Sequence, residues 1–470
     1  MSAPAKPLHK RLLGPPYRAL RARLWGLQRF HPRRIGGLLR WTAEVASALR
    51  RRRREERLTV AVDVSFLWEP LTGIGWYLYR LLQHLAPRGD LALRLYGPSL
   101  AAGEAVPEPV VALPEGPAIE RVLYPTPADT VVHQHRLIRL VRRLERRLIA
   151  ADGNRVLFAP NYLPSERFSA AGGALVATVH DLGYRRVPWA IRQETLERLE
   201  AELDRVWFRA RSIVTDSAAV RDEILAEGLA APGRLRVIPL GPGQDPGTGL
   251  DRREPFGSGD GGEARASAAP AGSAAVPPFS PAGVPAGYAL SVGTLEPRKN
   301  LETLLAAWRG LRRRAPPGAA GEAPALVLCG QYGWKSEGLR RRVEEAEAEG
   351  WLRHLGYVDE AALASLYRGA RLFVFPSRYE GFGLPVLEAF AAGLPVVASD
   401  LPVLRELAGD AVLYAPPLDA EAWIGQVERL LDDPALAREL AAAGRERARR
   451  YTWERAAELH VQVFREAATR

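Results

Sequence analysis

The sequence predicts an α/β protein of two doubly wound, Rossmann-like domains, and three observations carry that prediction. Short apolar, β-branched runs alternate with segments of helical periodicity. The alternation stops and restarts across a stretch almost devoid of large apolar residues, and Gly-rich turns stand where strand-like runs give way to helical ones. At 470 residues, 47% hydrophobic and 25% charged, the chain has material for two domains of ordinary size. Cys329 is its single cysteine, which rules out an internal disulfide framework and a cysteine-rich zinc site and points to a reducing compartment, the cytoplasm. No apolar run reaches the roughly 18 residues of a membrane span, and the N-terminus lacks the order of a secretion signal.

Residues 1–57 read as a basic extension. They hold 16 Lys and Arg against three Glu, so the formal +11 of the chain belongs to this tail and residues 58–470 sum to about −2. Tyr17, Leu20, Leu24 and Leu27 recur at helical spacing among arginines, and the run Arg50 to Arg54 follows. This pattern suits a helix on an anionic membrane surface, here the inner face of the plasma membrane. It equally suits an arginine-rich leader produced by composition bias or a misassigned start; a transit peptide fits less well because serine is scarce.

The first domain is expected over 58–241. LTVAVDVSF (58–66) reads as a buried strand, followed by the turn Thr72-Gly73-Ile74-Gly75 and the helical WYLYRLLQHL. Further strand-like runs are LALRLY (91–96), RVLFAP (155–160), ALVATVH (174–180), RSIVTDS (211–217) and RLRVIPLG (234–241). Residues 242–286, rich in Gly, Pro, Ser and Ala, read as a disordered linker or insertion. A second domain is expected over 287–450, with runs at YALSVGT (288–294), PALVLCG (324–330), LRHLGYV (352–358), RLFVFPS (371–377) and GLPVVASD (393–400). Crossover helices and parallel strands are the economical arrangement.

The chemistry concentrates in RYEGFGLPVLEAF (378–390). Between a strand and a helix with Pro385 in its first turn and Gly393 at its stop, Gly381 and Gly383 permit close backbone approach, and the N–H groups of Phe382, Gly383 and Leu384 can receive a phosphate. Glu388 stands one turn in, within reach of a ribose, and Glu380 stands where it can accept from a sugar. The plain alternative is an exposed face with a dipole-favourable first turn. In LEPRKNLETLLAAW, Arg298 and Lys299 stand between a strand end and a helix at the same sheet edge, suited to a diphosphate. The lysine carries weight because the chain has only four lysines among 65 basic residues. His180 and Asp181 read either as a strand-end pair satisfied locally or as part of the site.

GIGWY, VHDLGY, EPRKNL and EGFGLPVLEAFAAGLPVVASD together resemble the family 4 retaining glycosyltransferases, which use nucleotide diphosphate sugars on two facing Rossmann-like domains of the GT-B architecture. The resemblance runs from about 58 to 465 and implies a role for each motif. Glu388 would bind the nucleotide ribose, Glu380 and Gly381 to Leu384 the donor sugar and phosphates, and Arg298 and Lys299 the leaving diphosphate. Gly73, Ile74 and Gly75 would lie against the diphosphate from the first domain, with His180, and beside it Asp181, on the donor sugar side. The segment 451–470 would be the helix crossing back to the first domain. No D-x-D motif occurs, so the expectation is a metal-independent hexosyltransferase without a cofactor. Its acceptor is expected to be a cell-surface polysaccharide or a lipid-linked saccharide. Members containing GIG imply mannose and a GDP-mannose donor, with UDP-glucose and dTDP-rhamnose left open. Trp76, where arginine is common in the family, and the long interdomain stretch are departures from the pattern.

Two other classes compete with this expectation. A nucleotide-sugar epimerase would share the architecture and would act on donor alone. A nucleic-acid binder fits poorly, because outside the tail the charge is near neutral and no basic stripe carries interleaved aromatics.

Overall fold

The computed structural model describes residues 56–67, 73–97, 118–121, 150, 152–161, 173–243, 287–314 and 323–469. The expected basic extension, apart from Glu56 and Arg57, and the expected linker from residue 244 onward lie outside the described residues. Pro242, expected to open that linker, is instead buried, and its carbonyl accepts a hydrogen bond from Trp453 Nε1 at 2.8 Å. By its contacts the chain divides into two compact units, one ending at Ala177 and regaining the chain at Val463, the other running from Thr178 to Gln462.

The first sheet contains β1 Leu58–Asp63, β2 Leu91–Tyr96, β3 Ile119–Arg121, β4 Val156–Ala159, β5 Ala174–Val179, β6 Ser212–Thr215 and β7 Leu235–Val237, in the order β3-β2-β1-β4-β5-β6-β7. Its helices include α1 Gly73–Leu85, α2 Gly183–Arg186, α3 Gln193–Arg209 and α4 Ala218–Ala226. The β-branched, apolar β1 is buried along its whole length, as a strand covered on both faces must be. Gly73 to Gly75, expected as a turn, form the first turn of α1 instead. Small residues at a helix start leave room for whatever lies before it, and the apolar face Tyr77, Leu78, Leu81, Leu82 and Leu85 begins only one turn further on.

The second sheet holds β8 Ala289–Val292, β9 Leu326–Cys329, β10 Leu352–His354, β11 Leu372–Phe375, β12 Val396–Ser399 and β13 Leu413–Ala415, in the order β10-β9-β8-β11-β12-β13. Around it lie α5 Leu301–Arg314, α6 Glu337–Ala348, α7 Glu360–Gly369, α8 Leu384–Ala391, α9 Pro402–Ala408, α10 Ala420–Asp432, α11 Pro434–Ala448 and α12 Trp453–Thr469. Trp308 on α5 and Trp423 on α10 are fully buried in one core with Val374 and Val397 of the sheet. The last residues of α12 group with the first unit, where the Phe464 ring meets Phe158 edge-on and Arg465 pairs with Asp90.

Both orders reverse direction once, between β1 and β4 and between β8 and β11. An open α/β sheet has its ligand crevice outside the carboxyl ends of the strands at such a switch point. The segments after β8 and β11 carry Arg298, Lys299 and Glu380, so chain direction alone brings these motifs together. β3 and β13 were not anticipated; the IER of β3 holds a single apolar residue, and β13 lies within AVLYA (411–415).

Candidate active site

The first arm of the site leaves β8 and turns through a short 3-10 segment, Pro297–Lys299. Asn300 closes that turn in the left-handed region, at φ 55°, which asparagine tolerates because its side chain bonds locally. Its amide nitrogen donates to the carbonyls of Pro376 at 2.9 Å and Pro417 at 2.6 Å. The Arg298–Lys299 pair is thereby pinned beside the end of β11, where the Arg378 N–H donates to the Arg298 carbonyl at 2.9 Å.

The second arm begins there. Lys299 Nζ donates to Glu380 Oε1 at 2.6 Å, and Arg298 Nη1 donates to Glu380 Oε2 at 3.1 Å. Arg298 also holds Glu296 at 3.0 Å, and Lys299 lies 5.3 Å from the centre of the Phe375 ring. The three side chains are 22%, 14% and 9% exposed, so these ion pairs are only weakly screened. Burial works against the Glu380 carboxylate, but the charges of Lys299 and Arg298 outweigh it and hold its pKa down to about 2. Burial lowers the Lys299 pKa despite Glu380, while Arg298, also opposed by burial, is raised by Glu380, Asp181 and Glu296. Each Glu380 oxygen therefore has one cation partner.

The turn after Glu380 is held closely. Ser217 Oγ donates to the Gly381 carbonyl at 2.8 Å, and a Cβ at 381 would run into the His180 carbonyl oxygen, so only glycine fits. Gly383 caps α8 at φ 109°, a conformation that L side chains avoid, and no side chain caps the helix in its place. The N–H groups of Gly383 and Leu384 thus have no intrahelical acceptor, the arrangement that receives anions. Phe382 is buried edge-on to Tyr451 at 5.9 Å.

Glu388, in mid-helix, turns to a different neighbourhood. Its Oε2 accepts from the Tyr367 hydroxyl at 2.7 Å. Burial, then the Glu388 charge, raises both the Tyr367 hydroxyl and the Cys329 thiol, the latter to about 12. His180 follows β5, with Nδ1 2.6 Å from Asp216 Oδ2, and Asp181 Oδ1 accepts from the Gly183 N–H at 2.8 Å. Arg298, Lys299, Glu380, Gly381, His180 and Asp181 are therefore assembled around one turn. Gly73, Ile74 and Gly75 belong to the other unit.

Sequence reasoning missed Tyr367 and several other participants. Asp216 and Ser217 lie in VTDS at the carboxyl end of β6, a position that could have drawn attention. The Tyr379 hydroxyl donates to Glu223 at 2.9 Å and accepts from the Leu182 N–H at 2.8 Å. Glu406 on α9 accepts the N–H groups of Ala218 and Ala219, both at 2.8 Å, so a carboxylate sits on the positive end of α4.

Two family models match the chain: Glycosyltransferase Family 4 over residues 71–241 and Glycosyl transferases group 1 over residues 282–447. Among solved structures, sucrose-phosphate synthase from Thermosynechococcus elongatus superimposes with a TM-score of 0.61 at 23% identity, over 87% of this chain and 99% of that one. Anabaena HepE in complex with UDP and glucose gives 0.60 at 14% identity, over 87% of this chain and all of that one. These identities speak for the fold alone, two parallel-sheet α/β domains; the two family models define the class, a glycosyltransferase. The chain belongs to the family 4, group 1 glycosyltransferases that the two models describe.

Among curated relatives, the O-antigen chain mannosyltransferase B of Escherichia coli is 41% identical over 183 residues, 38% of this chain and 46% of that protein. A D-inositol 3-phosphate glycosyltransferase from Salinispora arenicola is 30% identical over 322 residues, 65% of this chain and 66% of that protein. The matched stretch thus spans less than half the length of the O-antigen relative.

Proposed function

We propose that the chain is a retaining hexosyltransferase. It moves mannose by preference from a nucleotide diphosphate sugar to a saccharide acceptor of a cell-surface polysaccharide or of a lipid-linked precursor. The observation that carries the reading is the Lys299–Glu380–Arg298 cluster at the switch point of the second sheet. The name of the O-antigen relative supports mannose, and the UDP and UDP-glucose complexes of Anabaena HepE support a nucleotide-sugar donor.

Breaking a sugar–phosphate bond builds negative charge on the departing diphosphate. Cations already fixed in place stabilise it without reorganising. In this reading Glu380 aims Arg298 and Lys299 and accepts from the donor sugar, while the N-terminus of α8 receives the phosphates. Glu388 takes the ribose, exchanging its bond to Tyr367 for the hydroxyl pair, and His180 contacts the sugar. Positive charge comes from the side chains rather than from a metal ion.

The test is a donor panel. GDP should raise the apparent melting temperature more than UDP or dTDP, because a ligand bound only by the folded state stabilises it. GDP-mannose should yield product with retained anomeric configuration, unaffected by a chelator. Lys299→Ala should weaken nucleoside diphosphates about tenfold or more and leave free nucleoside unchanged, as expected for one lost charge-assisted hydrogen bond. Parental affinity for every diphosphate in the Lys299→Ala protein would overturn the site assignment, and an epimerised donor formed without acceptor would overturn transfer.

A further inference from the structure

We infer that Asp216 is a positioning residue for sugar transfer, holding His180 in the tautomer that carries its proton on Nδ1. The inference rests on the reading of His180 as a donor-sugar contact. Asp216 lies one residue beyond β6, and His180 one residue beyond β5, its neighbour in the sheet. The Asp216 side chain is 4% exposed, and its Oδ2 stands 2.6 Å from His180 Nδ1.

An ionised carboxylate only accepts, so it fixes the proton of the neutral ring on Nδ1 and gives Nε2 the lone pair. Burial raises the Asp216 pKa, the His180 charge opposes this, and Asp181 adds to the rise. His460 on α12 faces the same region: it is fully buried, donates from Nδ1 to the Ala456 carbonyl at 2.7 Å, and is pushed by burial to about 4, so it stays neutral. Asp216 is thus an acidic side chain bonded directly to the His180 ring.

The main chain carries the same arrangement onward. The His180 carbonyl closes against Gly381, and Ser217, next to Asp216, donates to the Gly381 carbonyl. One short connection from β6 to α4 therefore anchors the His180 ring with one residue and the turn after Glu380 with the next. Asp216 governs the ring, and Ser217 governs the turn.

The experiment uses the full chain, labelled with 15N-histidine and recorded at mildly alkaline pH, with the His180 signal identified from a His180→Gln spectrum. In the parent, Nδ1 of His180 should show the protonated signature. Asp216→Asn, which can donate where aspartate only accepts, should shift that signature towards the other tautomer. It should also lower kcat about tenfold or more with the donor KM nearly unchanged, within the range that proton-positioning groups contribute. Ser217→Ala should leave the His180 signature as in the parent.

A merely structural role would add its cost in any background. In His180→Ala, Asp216→Asn should therefore cost nothing further in turnover. An unchanged His180 signature in Asp216→Asn overturns the inference, as does full turnover by that variant or an additive loss in the double variant. If no protein of the set, parent included, transfers sugar, the proposed function fails, and the His180 signature still decides whether Asp216 holds the ring.

Discussion

Glu380 is the residue on which the site's electrostatics turn, and its surroundings set two expectations. With a folded pKa of about 2 against an ordinary 4.5, the unfolded chain takes up a proton between these values that the folded chain refuses. The Glu380 contribution to stability is therefore complete above about pH 4.5 and is lost as pH falls through about 2. Melting temperatures across that window should fall less steeply in Glu380→Gln than in the parent. The same substitution takes the carboxylate from Lys299 and leaves Arg298 to Glu296, and breaking such a buried pair typically costs about 3 to 5 kcal/mol. Adding Lys299→Met to Glu380→Gln should recover part of that loss while transfer stays depressed, which denaturant titration of the double variant checks. The Glu380, Arg298 and Lys299 part of the site was legible because a rare lysine and a Gly-Phe-Gly turn are local signals. Asp216 was not, because its meaning lies in a partner 36 residues away, and Tyr379 answers to Glu223 at a separation of 156.

Among the elements, two glycines test how tightly the helices of the second sheet are packed. A Cβ at Gly310 on α5 would meet the terminal methyl of Ile424 on α10, the far end of an aliphatic side chain. At Gly444 on α11 it would lie 2.5 Å from the Phe390 ring of α8, which is buried and cannot rotate clear. Helix propensity favours alanine over glycine by about 0.5 to 1 kcal/mol, whereas overpacking costs about 1 to 3. Gly310→Ala should therefore melt close to the parent, and Gly444→Ala should melt lower. Because Glu388 rides on α8, Gly444→Ala should also weaken nucleotide binding in calorimetry, whereas Gly310→Ala should not. Strands such as β9 and β11 were legible in the sequence as apolar runs, whereas β13, inside the equally apolar AVLYA (411–415), was not. The start of α1 was not, since glycines read as a turn until the helix behind them is seen.

For the whole molecule, charge is the property the sequence distributes most unevenly, with the basic residues of 1–57 set against a nearly neutral remainder. Among the described residues no helix is long and apolar enough to cross a membrane. If the tail lies on anionic lipid, full-length protein should sediment with vesicles containing phosphatidylserine, release as salt rises, and lose both behaviours when residues 1–57 are removed. Equal sedimentation of the two proteins would reject the tail as the cause. The two-domain plan itself was legible from the break in composition, but the compact units were not. Their division falls after Ala177 and after Gln462, which no compositional change marks.

That division bears on any attempt to exchange donor preference by grafting halves of related enzymes. A cut in residues 244–286 looks natural, yet it parts Ser217 from Gly381, Glu223 from Tyr379 and the start of α4 from Glu406. A transplanted half arriving with other residues at these places would meet unmatched donors and acceptors at the turn that carries Glu380. Chimeras should therefore fail through the hosts' residues 216–223 rather than through the spliced segment, and should be rescued by moving those residues with the graft.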